Sequence, residues 1–244
     1  MSIVRDGRTI LHDLSFGIEE GGHTAILGPN GCGKSTLIKL LSREIHAHAG
    51  RGTYRVLGRT QWAQAELRRV LGVVSAEPRE PLLGDPTGLD LAVSGLLGTY
   101  GVLAQHEVMS EMVARGRRAL ERVDAERLAN QSLRTMSAGE NRRCWIAWAL
   151  VSEPRALVLD EPTTGLDFVA RARFLETVRA LADSTTIVLV THHLDEIVPE
   201  VGRVVLMRQG RIVADGPRGE ILTRAKIAEV FGSTEAEVPR ECSH

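Results

Sequence analysis

The sequence predicts an α/β fold: a parallel-sheet core, an antiparallel β subdomain and an inserted α-helical subdomain. Three observations carry this. Residues 24–27, 156–159 and 186–190 are apolar runs of strand length, as expected of strands buried on both faces of a parallel sheet. Helical spacing follows the first run and separates the other two. Residues 77–150 read as mostly helical, after an entry rich in proline and glycine (Pro78, Pro81, Gly84, Pro86, Gly88).

Composition sets the outer limits. The chain has 244 residues, 43% of them hydrophobic, which suits one large domain or a core with an insertion. Thirty basic against 31 acidic residues leave a net charge of −1, so no general attraction to nucleic acid or anionic lipid is implied. Cys32, Cys144 and Cys242 are odd in number and lack metal-ligand spacing, as expected of a reduced, cytoplasmic protein. No basic segment followed by an apolar one opens the chain, so no secretion signal is expected. Residues 88–104 come nearest to a membrane span, but Asp90 and repeated glycines make them too short and too broken to cross a bilayer. They are expected to offer an apolar docking surface instead.

Residues 1–20 and about 51–75 read as short strands, for instance 52–57 and 70–74. The run at 24–27 leads into Gly28-Pro29-Asn30-Gly31-Cys32-Gly33-Lys34-Ser35-Thr36, and Leu37, Ile38, Leu40 and Leu41 follow at helical spacing. This is the phosphate-loop pattern G-x-x-x-x-G-K-[ST] in the strand–turn–helix setting that it requires. N–H groups of the turn and the positive end of the helix point at one spot and make an anion site. Gly28, Gly31 and Gly33 let the main chain close around phosphates, Lys34 is expected to reach the β- and γ-phosphates, and the Ser35 hydroxyl to hold Mg²⁺. The core is therefore of the P-loop NTPase (RecA-like) type. Cys32, among those N–H groups, has either a reactive thiol or simply a side chain small enough for the loop.

Residues 109–128 read as a charged amphipathic helix with Met112, Leu120, Val123 and Leu128 inward. Ser137 and Glu140 form a capping box for a helix over 141–151, whose Trp145 and Trp148 are expected in the core. The strand at 156–159 ends in Asp160 and Glu161, where a parallel α/β sheet presents its ligand. Asp160 suits the Mg²⁺ shell, usually through water, and Glu161 can orient and deprotonate the attacking water. A helix around 171–182 follows. The run at 186–190 then ends in Thr191-His192, with His192 placed to contact the γ-phosphate and hold the attacking water. His193 is not expected to join it in a metal site, because neighbours on a strand point opposite ways. Residues 204–207 and 211–213, joined by Gln209-Gly210, read as a hairpin.

These motifs in this order resemble the ATP-binding cassette family, the nucleotide-binding subunits of ABC transporters. Met136-Ser137-Ala138-Gly139-Glu140 is similar to the family signature LSGGQ, and Thr164-Gly165-Leu166-Asp167 resembles its D-loop. The resemblance runs from Leu11 to about Ile221. It implies a single ATP-binding domain over 1–244: β subdomain and phosphate-loop core over about 1–76 and 151–221, helical signature subdomain over about 77–150, and a tail over 222–244. It further implies a homodimer closing head to tail around two molecules of ATP with Mg²⁺. Each ATP lies between the phosphate loop of one copy and Ser137, Ala138, Gly139 and Glu140 of the other. Asp167 would sit near the seam, with Glu161 as base and His192 on the γ-phosphate.

Closure would move separate transmembrane permease subunits. The chain is then peripheral on the cytoplasmic face of the membrane, with no span of its own and no nucleic-acid partner. Importer cassettes of the molybdate and iron-complex type are nearest in pattern. The alternative is a soluble cassette ATPase acting on a non-membrane partner. A tandem-cassette factor would need a second phosphate loop, and a repair-type cassette would need a long coiled coil; the sequence has neither. Two positions depart from the family. Its usual glutamine after the strand at 70–74 reads Ala76 here, and no aromatic precedes Phe16 to stack on adenine, which leaves Arg5 or Arg8.

Overall fold

The computed structural model describes residues 2–5, 8–45, 54–75 and 81–239, without the side chains of Arg5, Arg8 and Ala65. Two compact units share the chain: Met1–Gln64 with Thr186–His244, and Ala65–Thr185. The chain opens with β1 (Ile3–Arg5), β2 (Arg8–Leu11), β3 (Thr24–Leu27) and α1 (Lys34–Leu41). It continues through α2 (Gln64–Val70), β4 (Leu71–Ser75), α3 (Gly88–Leu97), α4 (Ser110–Glu121), α5 (Ala138–Leu150), β5 (Ala156–Asp160) and α6 (Phe168–Ala182). Then come β6 (Thr186–Thr191), β7 (Arg203–Arg208), β8 (Arg211–Pro217), α7 (Arg218–Ile221) and α8 (Arg224–Phe231).

In the first unit β3 lies between β6 and β7, parallel to both, and β8 pairs with β7 antiparallel. A central parallel strand has no solvent face, and every residue of β3 and β6 is buried. β8 alternates between exposed and half-buried positions, the pattern of an edge. Gln209 and Gly210 join β7 to β8 with φ of 48° and 74°, the left-handed pair that a two-residue hairpin turn needs. β1 and β2 form a separate antiparallel pair.

In the second unit β4 and β5 run parallel, from Leu71 opposite Ala156 to Ser75 opposite Asp160. α3 packs on α4 and α5 around Leu91, Leu120, Val123, Leu128 and Ile146, none of which is exposed. α3 opens with a capping box of Thr87 and Asp90, and α5 with the expected box of Ser137 and Glu140. The helices meet backbone to backbone: a Cβ on Gly95 of α3 would stand 2.1 Å from the carbonyl oxygen of Trp148 in α5.

Several expectations need correction. Residues 64–70 are helical rather than extended, and of residues 54–60 a single bridge pairs Val56 with Arg59; Gly52 and Thr53 lie outside the described residues. The helix expected over 109–128 stops at Glu121. The Ala125 N–H turns back to the carbonyl of Leu120, Asp124 takes a left-handed φ of 51°, and a short 3-10 turn over Glu126–Leu128 follows. Leu120, Val123 and Leu128 are buried as expected, whereas Met112 is only half-buried. Trp145 and Trp148 are likewise half-buried; with Tyr100 they form a cluster of edge-on rings, centroids 5.0–5.9 Å apart. The middle of the 88–104 stretch, Leu91–Ser94, is interior rather than an offered surface. Ala76 and Cys242 lie outside the described residues, as do the side chains of Arg5 and Arg8.

Because α3 has no room for a methyl group against α5, Gly95→Ala is expected to lower unfolding free energy by about 1–3 kcal/mol. Denaturant unfolding followed by circular dichroism checks this, and an unchanged midpoint would contradict the packing.

Candidate nucleotide site

The phosphate loop leaves β3 and turns into α1. It can pass there because Gly28 has no side chain: a Cβ would sit 2.3 Å from the carbonyl oxygen of Met207 and 2.9 Å from Cys32 Sγ. Gly33 sits at φ 108° immediately before α1, and a Cβ there would stand 2.7 Å from Leu11 Cδ2. Neighbouring backbone holds the loop from behind. The Gly28 N–H reaches the carbonyl of Thr191 at 3.3 Å, the Gly210 N–H that of Cys32 at 2.9 Å, and the Gly210 carbonyl accepts from His12 at 2.8 Å. Asn30, Gly31 and Ser35 remain exposed at the mouth, with Pro29, Gly33 and Thr36 half-buried.

Lys34 is 5% exposed, and its ammonium donates to the carbonyl of Gly28 at 2.7 Å and of Pro29 at 3.3 Å. These carbonyls belong to the loop itself, so the ammonium is held against the glycine turn ahead of α1. Cys32 is 3% exposed and packed against Gly28, which fits the reading of a small side chain filling the loop. At the end of β6, His192 is half-buried. The strand stops at Thr191, whose hydroxyl accepts the His193 N–H at 3.0 Å. Both imidazoles therefore project from a turn and stand side by side, centroids 3.8 Å apart, contrary to the strand geometry expected for them.

The second unit carries the acidic pair and the signature. Asp160 ends β5, and Glu161 follows with a left-handed φ of 48°. A non-glycine residue there costs on the order of 1 kcal/mol, and such strain gathers where a side chain must be aimed for function. Asp167 caps α6, accepting the Ala170 N–H at 2.8 Å. The signature turn is held against the same helix: a Cβ on Gly139 would meet that of Ala170 at 3.0 Å. Ser137, Gly139, Glu140 and Asp167 line one cavity of about 180 Å³ with Arg127, Arg143 and Arg173. Glu140 is kept below the ordinary carboxylate range, chiefly by the Ser137 N–H, then by the Ser137 hydroxyl and Arg127. Ala138 is the first residue of α5, so its N–H belongs to the free helix start.

Two arginines escaped the sequence reading. Arg142 is 7% exposed and donates to the carbonyl of Ser75 at 2.8 Å, tying the signature helix to the end of β4. Arg127 pairs with Glu140 at 2.7 Å. The only local hint for Arg142 is its place beside Arg143 just before the apolar half of the helix, Cys144–Leu150. Cys144 on that helix is an inert thiol, its pKa pushed up to about 12 by burial.

A phosphate loop in one unit with an acidic strand end and a capped signature helix in the other defines a P-loop ATPase of the cassette class. Residues 11–164 match the family described as ABC transporter. The hemin import ATP-binding protein HmuV of Agrobacterium fabrum is 34% identical over 242 residues, 95% of this chain and 89% of the relative. The ferric enterobactin transport ATP-binding protein FepC of Escherichia coli is 32% identical over 229 residues, 92% and 82% of the two chains. Among solved structures, cbiO1 from Clostridium perfringens, part of the ABC transporter complex cbiONQ, aligns with a TM-score of 0.78 at 25% identity, covering 99% and 94%. The chain belongs to the ABC transporter family, as its ATP-binding and ATP-hydrolysing subunit.

Lys34→Ala removes the buried ammonium and is expected to weaken ATP binding at least about tenfold, since charge-assisted bonds to phosphate are the strong ones. Isothermal titration with MgATP checks it, and an unchanged Kd would contradict the role given to Lys34.

Proposed function

We propose that this subunit works as a homodimer that closes head to tail around MgATP and powers uptake of a metal chelate through separate transmembrane permease subunits. The observation that carries the reading is the cavity at the start of α5. Free helix amides, the Ser137 hydroxyl and three arginines make a second anion-receiving surface besides the phosphate loop. In the proposed dimer the partner copy's Ser137 and α5 amides meet the γ-phosphate of the ATP held by Lys34. The substrate class rests on the hemin and ferric enterobactin relatives. No helix among the described residues is long and apolar enough to cross a membrane, which agrees with a permease supplied by other chains.

In the proposed mechanism Lys34 exchanges the carbonyls of Gly28 and Pro29 for β- and γ-phosphate oxygens. Ser35, exposed at the start of α1, and Asp160 at the end of β5 offer hard oxygen donors of the kind that suits Mg²⁺. When bound, that ion neutralises charge on the phosphates. Glu161 takes a proton from water as the water oxygen attacks the γ-phosphorus. The bond from that phosphorus to the bridging oxygen breaks, leaving ADP and inorganic phosphate. His192 donates a ring N–H to the γ-phosphate and so reports its presence or loss. Asp167, at the cap of α6 beside the signature, lies at the proposed seam and couples the two sites.

Glu161→Gln is expected to keep ATP affinity within about twofold and to lose turnover by about a hundredfold or more, the share of a general base. With MgATP it should run as a dimer on size exclusion. Purified from its own cells it should bring a polytopic membrane protein with it. A fully active variant contradicts the base, and a soluble partner in place of a membrane protein contradicts the transport reading.

A further inference from the structure

The signature helix starts where an anion is to be received, yet its third residue is a carboxylate. Glu140 folds back over the helix start. Its Oε2 accepts the Ser137 N–H at 3.0 Å and the Ser137 hydroxyl at 2.8 Å, while the Ser137 hydroxyl accepts the Glu140 N–H at 3.4 Å. As a cap this is favourable, because an acid in the first turn complements the helix dipole. As a neighbour of a triphosphate it is not, because the charge has the same sign as the ligand.

The second carboxylate oxygen resolves the conflict. Arg127 Nη2 stands 2.7 Å from Glu140 Oε1. Arg127 is carried by the 3-10 turn over Glu126–Leu128, whose flanking Ala125 and own Leu128 are fully buried. The N–H groups of Gly88 and Leu89, at the start of α3, reach the carbonyls of Gln131 and Ala129 just beyond that turn, each at 3.0 Å. The backbone that carries Arg127 is thus anchored, while its side chain, 62% exposed, reaches Glu140 over the surface.

The rest of the cavity sharpens the point. Asp167 is engaged in capping α6, and Arg143, 8% exposed, meets its carboxylate neighbour Asp124 at the long distance of 3.8 Å. Three arginines stand against two carboxylates around the cavity. Without Arg127 the numbers are equal, and the carboxylate on Ser137 loses its ion-pair partner.

We infer that Arg127 is a positioning residue for the signature turn. It holds Glu140 on Ser137 and cancels the charge of that acid, so that an acidic signature receives a triphosphate as an amide would. The inference rests on the proposed function, in that the start of α5 meets the γ-phosphate of ATP held by a second copy.

Steady-state ATPase assays on the full chain with MgATP test it. Arg127→Ala is expected to raise KM for ATP about three- to fivefold, the range of a partly exposed ion pair, with a smaller change in kcat. In a Glu140→Gln background the same substitution should change KM by less than about twofold, because no acid is left to mask. Arg127→Lys, which keeps a cation, should recover most of the loss. A purely structural role for Arg127 would act equally in both backgrounds. An equal rise in both, or no rise in either, overturns the inference. Ser137→Arg, assayed alongside, separates the two readings. If it abolishes turnover while Arg127→Ala is silent, the masking role alone falls. If it hydrolyses ATP normally, the signature site falls and the masking role with it.

Discussion

Close approach of main chain to main chain behind the phosphate loop is the constraint on which the site depends. Amides can be presented to a phosphate only if something else holds the loop that carries them. Here that support comes from elsewhere in the same unit: the backbone carbonyl of Met207 against Gly28, the Gly210 N–H on the carbonyl of Cys32, and the Leu11 side chain against Gly33. The hairpin turn at Gln209-Gly210 is thus a brace for the loop as well as a connection. β7, which leads into that turn, lies beside β3 with its central residues buried. Lys34 completes the arrangement by resting on loop carbonyls that a ligand would displace.

The signature turn solves the same problem by other means. No side chain caps the start of α1, and the preceding residue is a left-handed glycine, so its amides are left for a ligand. α5 is capped by Ser137 and Glu140 and pressed against α6 at Gly139. A capped helix start is rigid, but part of its hydrogen-bonding capacity is already used. An acid as the capping partner adds a charge that must be compensated, and Arg127 is the side chain in reach. The two helix starts therefore differ in chemistry: one is open backbone with a lysine, the other a hydroxyl in a capping box among arginines.

Much of this was legible in the sequence, because the motifs are local. The strand–glycine turn–helix around Lys34, the apolar run ending in Asp160 and Glu161, and the capping box at Ser137 each lie in one short continuous stretch, and their chemistry follows from that order. What escaped had distant or weakly signalled causes. α2 is hidden because its few apolar positions, Leu67 and Val70, leave period two and period 3.6 hard to separate. α4 stops at Glu121 without a glycine, and the chain turns away at Asp124, in a left-handed conformation that an acidic residue adopts more readily than most. The two histidines lie just past the end of β6, where strand alternation no longer applies. Arg142 and Arg127 take their roles from partners that only the folded chain brings to them: Ser75 lies 67 residues away, and Glu140 comes from a different helix.

Pairing of the two anion surfaces between copies is the central claim, and mixing two inactive chains tests it most directly. Protein carrying Lys34→Ala keeps its signature, and protein carrying Ser137→Arg keeps its phosphate loop. Each alone is expected to be inactive. If every ATP lies between two copies, a mixed dimer contains one site built from the two intact halves, and ATPase activity returns on mixing, with a bell-shaped dependence on the ratio of the chains. If both halves of each site come from one chain, no ratio restores turnover, and the account of the α5 cavity given above is wrong.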